Sequence, residues 1–385
     1  MNDIVLPNFL TFGAGAVNKI TTHLKSIKCS KPIIVTDKTM VNLQIIEPLE
    51  KALASSKVKF SIYDNTIPEP TSSSIEEGVS IIKNGNYDCI IAFGGGSPID
   101  SAKAMSILAK FGGNIEDYKF PNVTTDKGIP LIAIPTTAGT GSEVTKFTII
   151  TNEKNDEKML CVGPAFMPTA AIIDFKLTLS VPKRTTADTA IDSLTHAIEA
   201  YVSKKANLFS DTQAMSAMQL ITPNLRKAYN NGSDEKAREK LMIGSTLAGL
   251  AFSNSSVALV HGMSRPIGAF YHVPHGLSNA MLLPTVTNFS IPYAKSRYAE
   301  CAKAMGVAHN NDDTDVSNKK LIAALYQLNK DLEVPSLQKF GVNKDFYMKN
   351  LDAMSAQAIA SGSPGNNPIV PSHSQLVSLY KEIWV

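Results

Sequence analysis

The chain has 385 residues, 44% hydrophobic and 18% charged, a composition that excludes disorder and fibrous repeats and leaves room for two hydrophobic cores. With 37 basic against 34 acidic side chains the formal charge is +3, too balanced for electrostatics to draw the protein to nucleic acid or a membrane surface. A small-molecule partner is expected. Cys29, Cys89, Cys161 and Cys301 lie far apart and make no CxxC pair, which argues against a disulfide framework or a thiolate zinc site. The first residues lack a basic region followed by a long apolar run, and no stretch reaches the roughly 18 apolar residues of a membrane span. A soluble, cytoplasmic protein is expected.

Up to about residue 180, short β-rich apolar runs alternate with helical segments, the pattern of a mostly parallel sheet with crossover helices. Residues 31–37 read as a strand. So do 89–93, stopping at Gly94, and 129–135, stopping at Thr136. Beyond Val181-Pro182 long helical patterns take over, at 186–203, 211–229 and 234–252. The predicted architecture is an α/β domain over 1–181 and an all-helical domain over 182–385, with one cleft between them.

After the second strand comes Gly94-Gly95-Gly96-Ser97-Pro98-Ile99-Asp100 and then a helical run. Ser97 is the expected N-cap, Pro98 the first helical residue and Asp100 the acid of a capping box. Three glycines let backbone approach a pyrophosphate, and the helix end adds roughly half a positive charge. The spacing is not GxGxxG, so this is not the ordinary Rossmann fingerprint. A second polar loop over 136–145 follows the next strand at the same expected sheet edge. Asp37, ending an earlier strand, suits an adenosine ribose and would repel a 2′-phosphate, which favours NAD over NADP.

Of seven histidines, four belong to the core of the helical half's sequence: His196, His261, His272 and His275. Asp192 and His196 stand at i and i+4, on one helix face. His261 and His275 lie in apolar, glycine-containing surroundings. Together these supply one oxygen and three nitrogens, a set suited to a divalent transition ion with a position left open for substrate. Spacing does not separate iron from zinc. His23, His309 and His373 lack such company and are assigned to surface or structural roles.

On these motifs, with Phe12-Gly13-Ala14-Gly15, Thr36-Asp37-Lys38, Asp192 to Glu199, His261 to His275 and Ser361-Gly362-Ser363-Pro364-Gly365-Asn366-Asn367-Pro368, the chain resembles the iron-containing, group III alcohol dehydrogenases nearly end to end. These include lactaldehyde and 1,3-propanediol reductases. The resemblance implies a dehydroquinate-synthase-like fold with an N-terminal dinucleotide-binding domain and an all-helical catalytic domain. It implies a metal, Fe2+ or Zn2+, held by Asp192, His196, His261 and His275. NAD(H) contacts are implied at Asp37, Gly95, Gly96, Ser97, Thr136, Thr137, Thr145 and Lys158, with apolar packing near Leu177, and a homodimer is the implied assembly.

One position departs from the pattern: many members carry a second histidine four residues after the His261 equivalent, where this chain has Arg265. His272 is then a candidate proton acceptor, and Arg265 a candidate clasp for an anionic substrate group. Val257-Ala258-Leu259 replaces a common glycine and could narrow the pocket. The expected activity is hydride transfer between the nicotinamide and a short primary alcohol or aldehyde, some of them with a carboxylate or sulfonate. The alternatives are an NAD- and metal-dependent cyclase or lyase of the dehydroquinate-synthase type, and a non-catalytic nucleotide-binding protein.

Overall fold

The computed structural model describes residues 3–155 and 157–384. The chain divides into two compact units, Ile4–Ser180 and the part from Val181 onward. In the first, the strands are β1 (Phe9–Phe12), β2 (Pro32–Val35), β3 (Ser61–Tyr63), β4 (Cys89–Gly94), β5 (Leu131–Pro135), β6 (Phe147–Asn152), β7 (Glu157–Val162) and β8 (Ala170–Ile173). The three apolar runs become β2, β4 and β5.

Six strands form one sheet in the order β1-β8-β5-β4-β2-β3, and every pairing in it is parallel. A parallel sheet is covered on both faces, so its strands are apolar at every position rather than at every second one. Ile33, Val35, Ile90, Ala92, Leu131 and Ala133 enter one core. Their chain neighbours Ile34, Cys89, Ile91, Phe93, Ile132 and Ile134 enter the other. The antiparallel β6–β7 pair is a separate ribbon.

The strand order shows where a ligand would bind this unit. The chain passes from β2 outward to β3, then crosses back to place β4 on the other side of β2. Ligands of open α/β sheets bind beyond the carboxyl ends of the strands at such a reversal. The residues there are Thr36 and Asp37 after β2 and the glycines after β4.

The second unit is helical. Its three long helices are Lys183–Val202, Leu208–Asn230 and Glu235–Ser255, bounded where the sequence carries caps. Asn207 accepts from Ser210 N in a capping box, and Asp234 accepts from Ala237 N. From Thr186 to Val202 every residue of the first helix except Thr189 is buried. A helix enclosed on all sides should be apolar all round, yet this one carries Asp192, His196 and Glu199 inward, and buried polar groups need partners. Among the described residues no single helix is long and apolar enough to cross a membrane.

Candidate metal centre and nucleotide loop

Asp192, His196 and Glu199 project from one face of the Lys183–Val202 helix. His261 stands in the first turn of the Leu259–Tyr271 helix, and His275 is the first residue of the His275–Ser290 helix. The fold brings all four candidate ligands together. Asp192 Oδ1 lies 3.8 Å from His196 Nε2, 3.4 Å from His261 Nε2 and 3.7 Å from His275 Nε2. Four ligands each about 2.1 Å from a common ion would be about 3.4 Å apart. The donor types suit a divalent transition ion: Asp192, His261 and His275 bring ligand atoms within 4.8 Å of one another, and His196 Nε2 joins them through its 3.8 Å approach to Asp192. Asp192 and His261 are nearly sealed, whereas 40% of the His275 side chain is exposed, which marks the side open to a substrate.

Glu199, which the sequence motifs did not single out, orders this centre. Its carboxylate accepts from Ala258 N at 2.9 Å and Val260 N at 2.5 Å, and its Oε2 lies 2.6 Å from His261 Nδ1. With Nδ1–H donated to Glu199, His261 turns the lone pair of Nε2 toward Asp192, the tautomer a metal requires. His275 Nδ1 is 3.2 Å from Ser264 Oγ, which pairs in turn with Ser278 Oγ at 2.6 Å. Phe252 stacks on His196 with centroids 4.2 Å apart.

Asn279 was missed as well. Its amide nitrogen donates to Asp192 Oδ1 at 2.7 Å and lies 3.2 Å from Nε2 of both His261 and His275. Its Oδ1 is buried and has no hydrogen-bond partner among the described residues. Burial alone would raise the Asp192 carboxyl, but His196, His275 and His261 hold it well below the usual carboxylate range. Burial opposes protonation of His261, yet Asp192 and Glu199 together raise it to about 9.

Two glycines follow directly on the ligands. A Cβ on Gly262 would stand 2.7 Å from Pro364 Cδ, and one on Gly276 would stand 2.4 Å from the carbonyl oxygen of Asp188. Backbone therefore meets its neighbours without intervening side chains just beyond His261 and His275. His272 is exposed, in the left-handed region at φ 53° at the end of the Leu259–Tyr271 helix. Among the described residues it makes no hydrogen bond to the ligand set. Val257 is buried, and Ala258 contributes the amide that Glu199 holds.

In the first unit the helix after β4 begins earlier than expected. It spans Gly96–Phe111 with Gly95 as N-cap and no side-chain cap. Ser97 and Pro98 are thus inside the first turn, because glycine backbone starts the helix without a hydroxyl's help. Ser97 Oγ instead accepts from Glu69 N at 3.2 Å. Asp100 is not a capping acid: it accepts from Ser142 Oγ at 2.6 Å and Ile149 N at 3.0 Å, tying the helix to the second loop and to β6. The amides of Gly96 and Ser97 remain without intrahelical partners, as at any helix start, and Gly95, Gly96 and Ser97 are partly exposed.

The two polar loops lie side by side. Thr136 N donates to Gly94 O at 2.9 Å, and a Cβ on Gly96 would stand 2.8 Å from Thr140 Cγ2. Asp37 caps the short Lys38–Asn42 helix, Oδ1 accepting from Thr39 N and Met40 N. Its Oδ2 bonds to nothing among the described residues. Thr145 is buried, its hydroxyl held at 3.0 Å by Lys103 Nζ, a buried lysine that also donates to Phe147 O. Lys158 pairs with Glu69 at 3.0 Å, and Leu177 belongs to the core beneath the sheet.

Comparison with known proteins agrees with this architecture. Residues 7–175 match the family model described as iron-containing alcohol dehydrogenase, and residues 186–384 match that for the C-terminal part of the Fe-containing alcohol dehydrogenase family. Lactaldehyde reductase of Escherichia coli (strain K12) is 34% identical over 387 residues, with 100% of each chain covered. Alcohol dehydrogenase 4 of Saccharomyces cerevisiae (strain ATCC 204508 / S288c) is 35% identical over 382 residues, covering 98% of this chain and 97% of that one. Among solved structures, a 1,3-propanediol oxidoreductase superposes with a TM-score of 0.95 at 32% identity, with 100% of both chains covered. The chain belongs to the iron-containing alcohol dehydrogenase family.

Proposed function

We propose that this enzyme interconverts short primary alcohols and aldehydes with NAD(H), holding Fe2+ through Asp192, His196, His261 and His275, with Zn2+ the competing ion. The observation that carries the proposal is the cage of three imidazole Nε2 atoms within 3.4–3.8 Å of Asp192 Oδ1. When bound, the ion supplies Lewis acidity toward the alcohol or carbonyl oxygen, and the dinucleotide gives or takes the hydride.

The chain's own groups prepare this chemistry. Glu199 fixes the His261 tautomer, Ser264 orients His275, and the exposed flank of His275 admits substrate. The first-turn amides of Gly96 and Ser97 bind the pyrophosphate, with Gly95, Thr136 and Thr137 along its path. Asp37 Oδ2 takes a ribose hydroxyl. Lys158 and Thr145 act one step back, through Glu69 and Lys103, and Leu177 packs beneath. The same proposal includes a cytoplasmic homodimer, supported by the sheet-edge strand β1, which exposes Phe9 and Phe12.

A cyclase of the dehydroquinate-synthase type is not favoured, because the matching relatives are alcohol dehydrogenases and aldehyde reductases. The test is an aldehyde panel with NADH on anaerobically purified protein loaded with Fe2+ or Zn2+. Net NADH consumption is the expected result. NADH binding without turnover of any aldehyde rejects the proposal. Asp37→Gly should relax the preference for NAD over NADP, and an unchanged ratio removes Asp37 from the ribose site.

A further inference from the structure

Arg265 follows His261 by four residues on the Leu259–Tyr271 helix, so the two side chains share a face. Its neighbour Ser264 holds His275 Nδ1. The guanidinium carries five N–H donors, yet among the described residues it makes one hydrogen bond, a long one of 3.4 Å from Nη1 to Ser361 O. No carboxylate among the described residues forms an ion pair with it. The two acids of the centre are committed elsewhere: Glu199 to Ala258 N, Val260 N and His261, and Asp192 to Asn279 and the imidazoles. Burial pulls the Arg265 guanidinium below its ordinary pKa, opposed by the Glu199 charge, while the residue remains partly exposed. It is a cation desolvated by its surroundings but still reachable from outside.

The charge count points the same way. With a divalent ion held by Asp192, and with Glu199 bound to His261, neither acid would be left to form an ion pair with Arg265, and among the described residues no other carboxylate pairs with it. A buried cation with open donors is costly until an anion fills them, and a planar fork of donors matches a carboxylate or sulfonate. A solely structural arginine, tying its helix to the 361–367 turn, would be expected to make more than one long bond.

We propose that Arg265 binds an anionic head group on the substrate, making short aldehydes with a terminal carboxylate or sulfonate the preferred class; this rests on the alcohol dehydrogenase function proposed above. The experiment compares kcat/KM of the metal-loaded full-length enzyme with NADH for equal-length pairs, 4-oxobutanoate against butanal and 5-oxopentanoate against pentanal. Wild type should favour the oxo acid by about a hundredfold or more, because a site built for a polar group rejects the analogue lacking it. Arg265→Ala should erase that ratio, chiefly through KM, and Arg265→Lys should keep part of it. A wild type that favours the neutral aldehyde, or an Arg265→Ala that weakens both members of a pair alike, overturns the proposal, and the wild-type comparison needs no variant to fold.

If neither aldehyde is turned over, the activity fails but the head-group site is still tested. Butanoate and butanamide are then titrated into the NADH-loaded enzyme by fluorescence. Preferential binding of butanoate, lost in Arg265→Ala, supports the site, and equal or absent binding of the two rejects it.

Discussion

The two halves of this enzyme build their sites from different materials. The candidate nucleotide loop is backbone: a contiguous stretch after β4 whose first-turn amides lack intrahelical partners, with side chains serving mainly to brace it from behind. The candidate metal centre is side chain: its four ligands come from three helices, and three of them lean on a polar neighbour, Glu199 behind His261, Ser264 behind His275 and Asn279 beside Asp192. A backbone site is sensitive to added bulk and indifferent to most side-chain chemistry. A side-chain site is sensitive to groups that never touch the ion.

Substitutions can test that contrast, beginning with the largest effect. His261→Ala should lower turnover by about a thousandfold or more and abolish stoichiometric metal by elemental analysis, while the NADH dissociation constant from fluorescence titration stays within a few-fold. A parallel loss of NADH affinity would show that the two sites are not separable. Glu199→Gln should weaken metal affinity by about 10- to 100-fold in a chelator competition, because the amide no longer offers a carboxylate to His261 Nδ1. Unchanged affinity would make the carboxylate a structural brace only. Gly96→Val should give the converse pattern. With a Cβ already 2.8 Å from Thr140 Cγ2, the loops must separate, and NADH binding should weaken about tenfold with metal content intact.

The smallest effect concerns the brace beneath the loop. Burial pulls Lys103 from 10.5 to about 8. Between those values the unfolded chain binds a proton that the folded chain does not, so stability rises with pH across the window and is lost as pH falls toward 8. The slope is at most about 1.4 kcal/mol per pH unit. Lys103→Met should flatten it in urea midpoints taken at the two ends of the window, and an unchanged slope would assign it to other groups.

The same contrast explains what the sequence revealed. β2, β4 and β5 were legible because a strand covered on both faces is apolar throughout. Asp192, His196, His261 and His275 were legible because imidazoles in apolar, glycine-rich company are chemically conspicuous. Glu199 was not: an acid in a long helical pattern looks like a solvated face until the helix proves to be enclosed, although its position three residues after His196 was a usable signal. Asn279 gave less warning, since an amide four residues after His275 has many ordinary roles. Ser97 was misassigned as a cap because Gly-Ser-Pro matches the usual helix start, whereas three glycines allow the turn to begin sooner. Lys103 went unremarked because nothing in its helix shows that Thr145 and Phe147 will come to meet it.

Gly262 and Gly276 give the centre a dimension of its own. Each follows a histidine and lets main chain rest against its neighbour, Pro364 in one case and Asp188 in the other, so the gap between these segments is gauged by the absence of a methyl group. That gauge would bear on how far His261 and His275 reach toward a bound cation. Alanine at Gly276 would push its helix outward and shift the fit toward wider ions, making ionic size selection a property of the main chain as much as of the ligands.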